Sequence, residues 1–288
     1  MPETRDLRSY GAVFDTVAVE YDRNRPTYPD ELIDRAVALG GLEADDRVLE
    51  IGCGSGQLTR GLVARGLHVT AIEPGENLIA LAEHHVNGPG SVQFVNGRLE
   101  DASPDGEFAA AFSASAFHWI DPDVSWGKVE QLIEPGGLVA LIQYCGVRDE
   151  RTAADEDALL SVLAEVAPEI AADWPELRDL DTFLTGAEER KENVSEVWAW
   201  VGSQPVARRY AAALFDDVEL AVVPAFLEQT AEELNALVRT LSLYHRMSPA
   251  QQQALERGNL GIEEQLGRPI RSSLVAVLVT ARRAGAPA

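Results

Sequence analysis

The chain has 288 residues, of which 46% are hydrophobic, enough to bury a large core and to exclude a wholly disordered protein. Its formal net charge of −23 disfavours binding to phosphate backbones or anionic lipid, so we expect neither nucleic acid nor a membrane as a partner. Two cysteines cannot build a disulfide scaffold or a multi-cysteine zinc site, and no metal is expected. No apolar stretch is long enough to span a bilayer, and residues 1–10 lack the apolar run of a signal peptide, which predicts a cytoplasmic protein.

Strand and helix patterns alternate along residues 30–144. Short apolar runs predict buried strands, and segments of helical period lie between them. In chain order we predict a helix at 30–40, a strand at 47–51, a helix at 57–65, a strand at 68–72, a helix at 77–85, strands at 91–95 and 108–113, a helix at 124–132 and a strand at 138–144. Short connections between alternating elements are typical of parallel βαβ units in an open twisted sheet.

The pattern changes after residue 144. Residues 149–213 are acidic, rich in alanine and helical in period, without a clear strand. Further on we predict a strand at 218–223, helices at 231–244 and 249–256, and a last strand at 274–280. The predicted fold class is therefore α/β: a Rossmann-like, seven-stranded, mostly parallel sheet with helices on both faces and a helical lid insertion between strands 5 and 6.

Three glycines at alternate positions, Gly52, Gly54 and Gly56, lie between the first predicted strand and the next helix. Glycine permits positive φ and close approach of the backbone to a ligand, and the helix N-terminus offers free N–H groups. Glu73 follows Gly52 by 21 residues, at the end of the second strand, where a carboxylate can accept both hydroxyls of a ribose. The spacing G-x-G-x-G differs from the G-x-G-x-x-G of dinucleotide sites, and no lysine follows it as in a P-loop.

With Glu50 before it, this segment resembles motif I of class I S-adenosylmethionine-dependent methyltransferases. Residues 113–121, S-A-S-A-F-H-W-I-D, resemble the A-x-H-W-x-D stretch of the trans-aconitate-methyltransferase-like, methyltransferase type 11 group. Phe14, Tyr21 and the R-P-x-Y-P segment at 25–29 match the N-terminal segment of that group. The resemblance covers most of residues 10–145, and it implies the fold and the cofactor S-adenosylmethionine, with S-adenosylhomocysteine as product.

The resemblance also implies roles for individual residues. The backbone N–H of Leu99 would meet an adenine ring nitrogen, Glu100 would accept from the exocyclic amine, and Arg25 would pair with the methionine carboxylate. The predicted cofactor-binding residues are Tyr21, Arg25, Gly52, Cys53, Gly54, Gly56, Gln57, Leu58, Glu73, Pro74, Leu99, Glu100 and Ser115. The predicted substrate-binding residues are Trp119, Trp198, Tyr244 and His245. The implied domains are an N-terminal cap segment at 1–30, a cofactor-binding core at 31–145, the helical insertion at 146–215 and a part at 216–288 that completes the sheet.

We predict a methyltransferase that acts on a small-molecule acceptor, on oxygen, by in-line displacement. A hydroxyl or amine acceptor benefits from a general base within hydrogen-bond reach, and His118 is the first candidate, with His245 the second. Two alternatives stay open: an NAD-dependent oxidoreductase, because Glu73 would also suit its ribose, and a cofactor-binding protein of the methyltransferase fold with a non-methylating role. RNA is disfavoured as an acceptor by the charge, a protein acceptor is not excluded, and the chain is a monomer or a homodimer.

Overall fold

Seven strands form one sheet in the computed structural model of the protein, which describes residues 13–202 and 211–285. The strands are β1 (Arg47–Ile51), β2 (His68–Glu73), β3 (Ser91–Asn96), β4 (Phe108–Ala114), β5 (Ile133–Gly146), β6 (Phe215–Gln229) and β7 (Ile270–Arg283). Their order across the sheet is β3-β2-β1-β4-β5-β7-β6. The pairs among β1 to β5 are parallel, and β7 pairs antiparallel with both β5 and β6. The predicted seven-stranded, mostly parallel sheet is confirmed.

Helices precede, connect and cover the strands. They are α1 (Val13–Thr16), α2 (Ala18–Asn24), α3 (Asp30–Gly40), α4 (Gln57–Ala64), α5 (Glu76–His85), α6 (Pro122–Leu132), α7 (Ala153–Val166), α8 (Pro168–Ala171), α9 (Leu180–Glu188), α10 (Val194–Gly202), α11 (Ala211–Leu214), α12 (Ala231–Val238), α13 (Ser242–His245) and α14 (Pro249–Leu266). A single turn of 3₁₀ helix at Phe117–Trp119 follows β4. No helix in the described ranges is long and apolar enough to cross a membrane.

The sheet separates two apolar cores, because strands buried on both faces need helices on both sides. On one face, α3 and α4 pack on the strands through residues such as Leu32 and Leu62. On the other face, α6, α9 and α10 contribute Trp126, Phe183 and Val197 to a core that also contains the ring of Phe108. The predicted placement of helices on both faces is therefore confirmed.

The predicted insertion between strands 5 and 6 is helical, as α7 to α11 lie between β5 and β6. In its described part, α9 and α10 are buried against the sheet and α7 packs against α14. Trp174, which follows α8, is the described residue of the insertion that reaches the ligand cavity. A lid role of the insertion is thus not confirmed.

The predicted helix at 231–244 is wrong as one continuous element, because α12 ends at Val238 and α13 starts at Ser242. Thr240 lies at the break. Its hydroxyl donates to the carbonyl of Leu237 at 2.6 Å, and its own carbonyl accepts from Nη2 of Arg25 at 2.8 Å. The guanidinium of Arg25, 215 positions earlier, therefore bonds to a carbonyl that in a longer helix would accept from a backbone N–H of the same helix.

The predicted helix at 249–256 is too short, since α14 continues to Leu266 through two glycines. Gly258 is one of them, and a Cβ there would lie 2.3 Å from Cγ1 of Val162 on α7. The glycine permits close packing of the two helices, which compensates for its low helix propensity. The strands β6 and β7 likewise exceed their apolar runs, because they pair with each other over almost their whole lengths.

Candidate functional site

A cavity of about 690 Å³ lies at the carboxyl ends of the parallel strands. Its floor is formed by residues at or next to the carboxyl ends of five neighbouring strands, which stand side by side in the order β3-β2-β1-β4-β5. Neighbouring strands are about 4.8 Å apart, so this row of strand ends is about 19 Å long. The crevice at the carboxyl ends of an open α/β sheet is the usual position of a ligand site.

The glycine loop after β1 forms the centre of the floor. Gly52, Gly54 and Gly56 have φ of +71°, +54° and +83°, which glycine adopts without strain. A Cβ at Gly52 would lie 2.3 Å from the Cβ of Ala116, in the turn after β4. A Cβ at Gly56 would lie 3.0 Å from that of Ala82 on α5. Two of the three glycines therefore permit close packing, and Gly52 and Gly54 line the cavity.

Glu73, the last residue of β2, is held by two backbone N–H groups. Its Oε2 accepts from Gly54 at 3.0 Å and its Oε1 accepts from Gly75 at 2.9 Å. The side chain is buried, with 7% of its surface exposed, and it lines the cavity. Burial raises the pKa of Glu73, and the two N–H donors oppose that rise. Each carboxylate oxygen keeps a further lone pair, so the fixed side chain can still accept hydroxyl donors.

Glu50, on β1, lies below the loop and is 1% exposed. Its Oε2 is buried and has no hydrogen-bond partner among the described residues. Burial raises the pKa of Glu50 to about 7. A second cavity of about 10 Å³, the size that holds one water, adjoins it and shares Tyr21, Gly52 and Gly54 with the large one.

The predicted cofactor-binding residues divide between these two cavities. The large cavity is lined by Tyr21, Arg25, Gly52, Gly54, Glu73, Pro74, Leu99, Glu100 and Ser115. Cys53, Gln57 and Leu58 line the small cavity instead, and Gly56 is the N-cap residue of α4. The Cys53 thiol is buried and burial raises its pKa, as expected for an apolar filler and not for a nucleophile.

The roof of the cavity joins the start of the described chain to the segment between β6 and β7. Arg25 donates from Nε to the Thr240 hydroxyl at 3.0 Å and from Nη2 to the Thr240 carbonyl at 2.8 Å. Its guanidinium also stands 5.0 Å from the centre of the Tyr21 ring. The predicted partner of Arg25 was a methionine carboxylate, but two of its donor atoms are bonded to Thr240.

Asp15 fixes the N-terminal segment to the other side of the site. Its Oδ1 accepts from the backbone N–H of Asn77 at 2.8 Å and of Leu78 at 3.2 Å, so that it caps α5 from a distant part of the chain. A carboxylate at a helix N-terminus is favourable because it satisfies free N–H groups and opposes the helix dipole. This contact places α1 beside Glu73.

His118, the candidate base, lies in the 3₁₀ turn after β4 and lines the cavity. Burial, and next the charge of Arg25, lowers the pKa of His118 to about 4, so the imidazole is neutral near pH 7. Its Nδ1 is buried without a hydrogen-bond partner among the described residues. A hydrogen bond fixes the segment that leads into this turn, because the hydroxyl of Tyr28 donates to that of Ser115 at 3.0 Å. Ser115 has φ of +52°, a strained conformation for a residue with a side chain.

The structure brings only one of the four predicted substrate-binding residues to the cavity, Trp119. Trp198 lies in the core, 6% exposed, with its ring 6.5 Å from that of Phe117. Tyr244 donates to Glu256 at 2.5 Å, and Nε2 of His245 donates to the Arg239 carbonyl at 2.8 Å. Neither of these two lines the cavity, although Leu243 next to them does.

Several cavity residues were not predicted as site residues. Gln143 and Tyr144 at the end of β5 follow from the strand-end rule once β5 is recognised. Trp174 carries no comparable signal, because it lies in an irregular segment far along the chain. Other cavity-lining residues that were not predicted include Asp15, Arg98 and Leu241–Leu243. In the ranges described here, no cluster of three or more histidine, cysteine, aspartate or glutamate side chains is placed to hold a metal ion.

Known proteins resemble part of this chain. An uncharacterized methyltransferase of Mycobacterium tuberculosis is 33% identical over 148 residues, which cover 51% of this chain and 58% of that protein. Trans-aconitate 2-methyltransferase of Mycobacterium tuberculosis is 34% identical over 125 residues, which cover 41% of this chain and 42% of that protein. The chain thus matches between two fifths and three fifths of the length of these relatives.

The fold also has a known counterpart. A solved structure from Anaeromyxobacter dehalogenans, provisionally named a type II methyltransferase, superposes with a TM-score of 0.57 and covers 91% of this chain and 99% of that one. At 20% identity this likeness shows the fold alone. Residues 49–141, from β1 to the middle of β5, match the family model of the methyltransferase domain, type 11. The resemblance to class I S-adenosylmethionine-dependent methyltransferases seen in the sequence is therefore confirmed, and residues 49–141 match a methyltransferase domain.

Proposed function

We propose that the protein transfers a methyl group from S-adenosylmethionine to an oxygen atom of a small-molecule acceptor. The observation that carries the proposal is the carboxylate of Glu73, held by the N–H groups of Gly54 and Gly75 on the floor of the large cavity. A fixed carboxylate at the end of the second strand is suited to two ribose hydroxyls. The cavity volume of about 690 Å³ is within the usual range for sites that enclose a ligand.

The remaining cavity residues suit the other parts of the cofactor. Leu99 and Glu100, after β3, would hold the adenine, and the backbone of the glycine loop would lie under the amino-acid part. Glu50 has an unpartnered carboxylate oxygen beside the small cavity, which suits a water or a cationic amine. The charge at this position is thus complementary to an ammonium group.

When bound, S-adenosylmethionine would supply a methyl group on a sulfonium: the acceptor oxygen would bond to the methyl carbon in line as the C–S bond breaks, the C–S electron pair would stay on the sulfur of S-adenosylhomocysteine, and the acceptor would release its proton. The chain's own contribution is to position the two reactants and to exclude water. His118 is neutral near pH 7 and can accept the released proton.

Oxygen is favoured over nitrogen by the side chains near His118. Gln143 and Tyr144 at the end of β5 are neutral, and the carboxylates that line the cavity, Asp15, Glu73 and Glu100, belong to its β2–β3 end. A protonated amine acceptor would need an anionic partner to offset its desolvation. A hydroxyl acceptor needs only hydrogen bonds.

Calorimetric titration with S-adenosylhomocysteine tests the proposal. We expect micromolar binding to the wild type and a loss of about 1–3 kcal/mol in Glu73→Ala, as for the loss of a hydrogen-bonded carboxylate. Glu83→Ala removes the same charge from the exposed side of α5 and should bind as the wild type does. Absence of binding to folded wild type would overturn the proposal, and binding of NADH in its place would favour the oxidoreductase.

A further inference from the structure

The charged side chains are unequally distributed along the cavity. Asp15, Glu73, Arg98 and Glu100 line its β2–β3 end, where Asp15 caps α5 and the other three belong to strand ends. At the β4–β5 end, the strand-end residues that line the cavity are neutral: Ala114, Ser115, Ala116, His118, Trp119, Ile120, Gln143 and Tyr144. An acceptor must lie beyond the cofactor's methyl group, and the β4–β5 end is the part of the floor that the cofactor contacts assigned above leave free.

The cation nearest to this end is Arg25, and two of its donor atoms already make hydrogen bonds to neutral groups. Nε and Nη2 of its guanidinium bond to Thr240 at 3.0 and 2.8 Å. Arg25 keeps its charge and could offset one carboxylate brought here, but an acceptor with several carboxylates would leave the others desolvated without a cation, and burying an unpaired carboxylate is costly. Arg98, the other cation that lines the cavity, lies beyond β2 in the row of strand ends. The β4–β5 end is therefore unfavourable for an acceptor with several carboxylates.

Aromatic and aliphatic side chains form the walls of the same end. Trp119 packs edge-on against Phe14, with ring centres 5.5 Å apart. The hydroxyl of Tyr144 donates to the carbonyl of Thr27 at 2.8 Å, so its polar tip is already bonded. Trp174 lines the cavity from the insertion and is 38% exposed, unusually open for so large an apolar ring. Leu241 and Leu243 face the cavity from the roof. Such walls favour a planar ring, which stacks on indole and phenol rings.

Two polar side chains can contact a hydroxyl on that ring. Gln143 is buried at the cavity wall. Within the described residues, its Nε2 makes a weak hydrogen bond to the sulfur of Cys145 at 3.5 Å. His118, on the adjacent strand end, has a buried Nδ1 without a partner in the described ranges. A neutral imidazole and an amide both hydrogen-bond with a hydroxyl without requiring a charge on it.

We infer that the methyl acceptor is an uncharged aromatic alcohol, bound between Trp119 and Trp174 with its hydroxyl toward His118 and Gln143, and not a polycarboxylic acid. This inference rests on the proposed function, because it places the acceptor next to the bound cofactor. It separates this chain from the relative whose name gives trans-aconitate as its substrate.

Three probes that differ in charge test the inference on protein saturated with S-adenosylhomocysteine. They are 2-naphthol, 2-naphthoate, which has the same rings and a carboxylate, and trans-aconitate. In calorimetric titrations we expect 2-naphthol to bind at least about tenfold more tightly than 2-naphthoate, and trans-aconitate to give no heat of binding. Trp174→Ala should weaken 2-naphthol about tenfold and leave the affinity for S-adenosylhomocysteine unchanged.

The outcomes separate the two proposals. Failure of S-adenosylhomocysteine to bind would overturn the proposed function itself. If it binds, equal or tighter binding of 2-naphthoate or trans-aconitate would overturn the inferred acceptor class, and so would absence of 2-naphthol binding. If 2-naphthol binds equally well to wild type and Trp174→Ala, its assigned position is wrong. Because Trp174 is partly exposed, the variant is expected to fold, and its unchanged binding of S-adenosylhomocysteine verifies that.

Discussion

Gly52 and Ala116 bring the loop after β1 into contact with the turn after β4. A Cβ on Gly52 would lie 2.3 Å from the Cβ of Ala116, far inside normal contact distance, and Gly52 also has φ of +71°. The absence of a side chain at Gly52 therefore allows the two segments that line the middle of the cavity to pack against each other. The position of His118, two residues beyond Ala116, depends on this contact.

Gly52→Ala is expected to lower the free energy of unfolding by about 2–4 kcal/mol, because overpacking is added to the cost of positive φ. Gly41→Ala is the matched control, since Gly41 has φ of +63° and nothing within 4 Å of an added Cβ. It should cost only about 1 kcal/mol. Urea unfolding of both variants measures the difference. Ala116→Gly should restore part of the loss in Gly52→Ala but not in Gly41→Ala; equal losses without such rescue would contradict the steric explanation.

Glu50 should make stability depend on pH. Burial raises its pKa from 4.5 to about 7, so between these values the folded state binds more protons than the unfolded state. Its contribution to the free energy of unfolding therefore falls as pH rises through that window, by up to about 3 kcal/mol. Glu50→Gln removes this contribution. The free energy of unfolding of Glu50→Gln minus that of wild type should therefore be larger at pH 8 than at pH 5.

The measurement for Glu50 is the difference in unfolding free energy between wild type and Glu50→Gln at several pH values from 4.5 to 8. The difference is needed because other groups titrate in the same range. Glu83→Gln makes the same change on the exposed side of α5 and serves as the control variant. A constant difference for Glu50→Gln would show that its carboxyl has an ordinary pKa in the folded protein.

The sequence reveals the site best where one local rule determines both the chain's conformation and its chemistry. The glycine loop and Glu73 are such a case, because a strand, three glycines and an acid at the next strand end fix both the backbone and the ligand contacts. Periodicity likewise predicts β1 to β4, which are short, and of which β1, β2 and β4 are almost entirely buried. Their positions in the sheet then follow from the handedness of βαβ units.

Contacts between distant segments limit the prediction. The break in the helix at 231–244 depends on Arg25, which no local pattern links to Thr240. Tryptophan is a residue type often found in ligand pockets, yet packing against Phe117 places Trp198 in the core. Trp174 reaches the cavity through the packing of the insertion, which periodicity alone does not determine.

Arg25 is expected to stabilise the roof of the cavity. Arg25→Ala should lower the free energy of unfolding by about 2 kcal/mol, because it removes two charge-assisted hydrogen bonds to Thr240. Thr240→Val should cost less, about 1 kcal/mol, since the Thr240 carbonyl remains. Arg23→Ala, on the exposed side of α2, is the control and should be neutral. Urea unfolding tests all three. Unchanged stability of Arg25→Ala together with loss of S-adenosylhomocysteine binding would instead place the guanidinium on the cofactor.

His118 should stay neutral in the folded protein down to about pH 5, because burial lowers its pKa to about 4. NMR of the imidazole should therefore show no protonation of His118 between pH 5 and 8. Between pH 4 and 6.5 the unfolded state binds more protons, so the contribution of His118 to stability rises with pH in that window. This is opposite in sign to the contribution of Glu50, and the two partly cancel in the wild type. A protonation midpoint above pH 6 in the folded protein would contradict the assignment.

As a base, His118 should affect turnover and not cofactor binding. His118→Asn is expected to reduce the rate of methyl transfer to a hydroxyl acceptor by about 10²-fold, the low end of the usual contribution of a positioned base, because an imidazole with a pKa of about 4 is a weak base near pH 7. Because the wild-type imidazole is already neutral at pH 6, the wild-type rate should show no break between pH 6 and 8 from this group. The affinity for S-adenosylhomocysteine should stay within a factor of about two, since the ribose and adenine contacts assigned above lie at the β2–β3 end. A full rate in His118→Asn would mean that the acceptor loses its proton to water, and that the imidazole only shapes the wall beside Trp119.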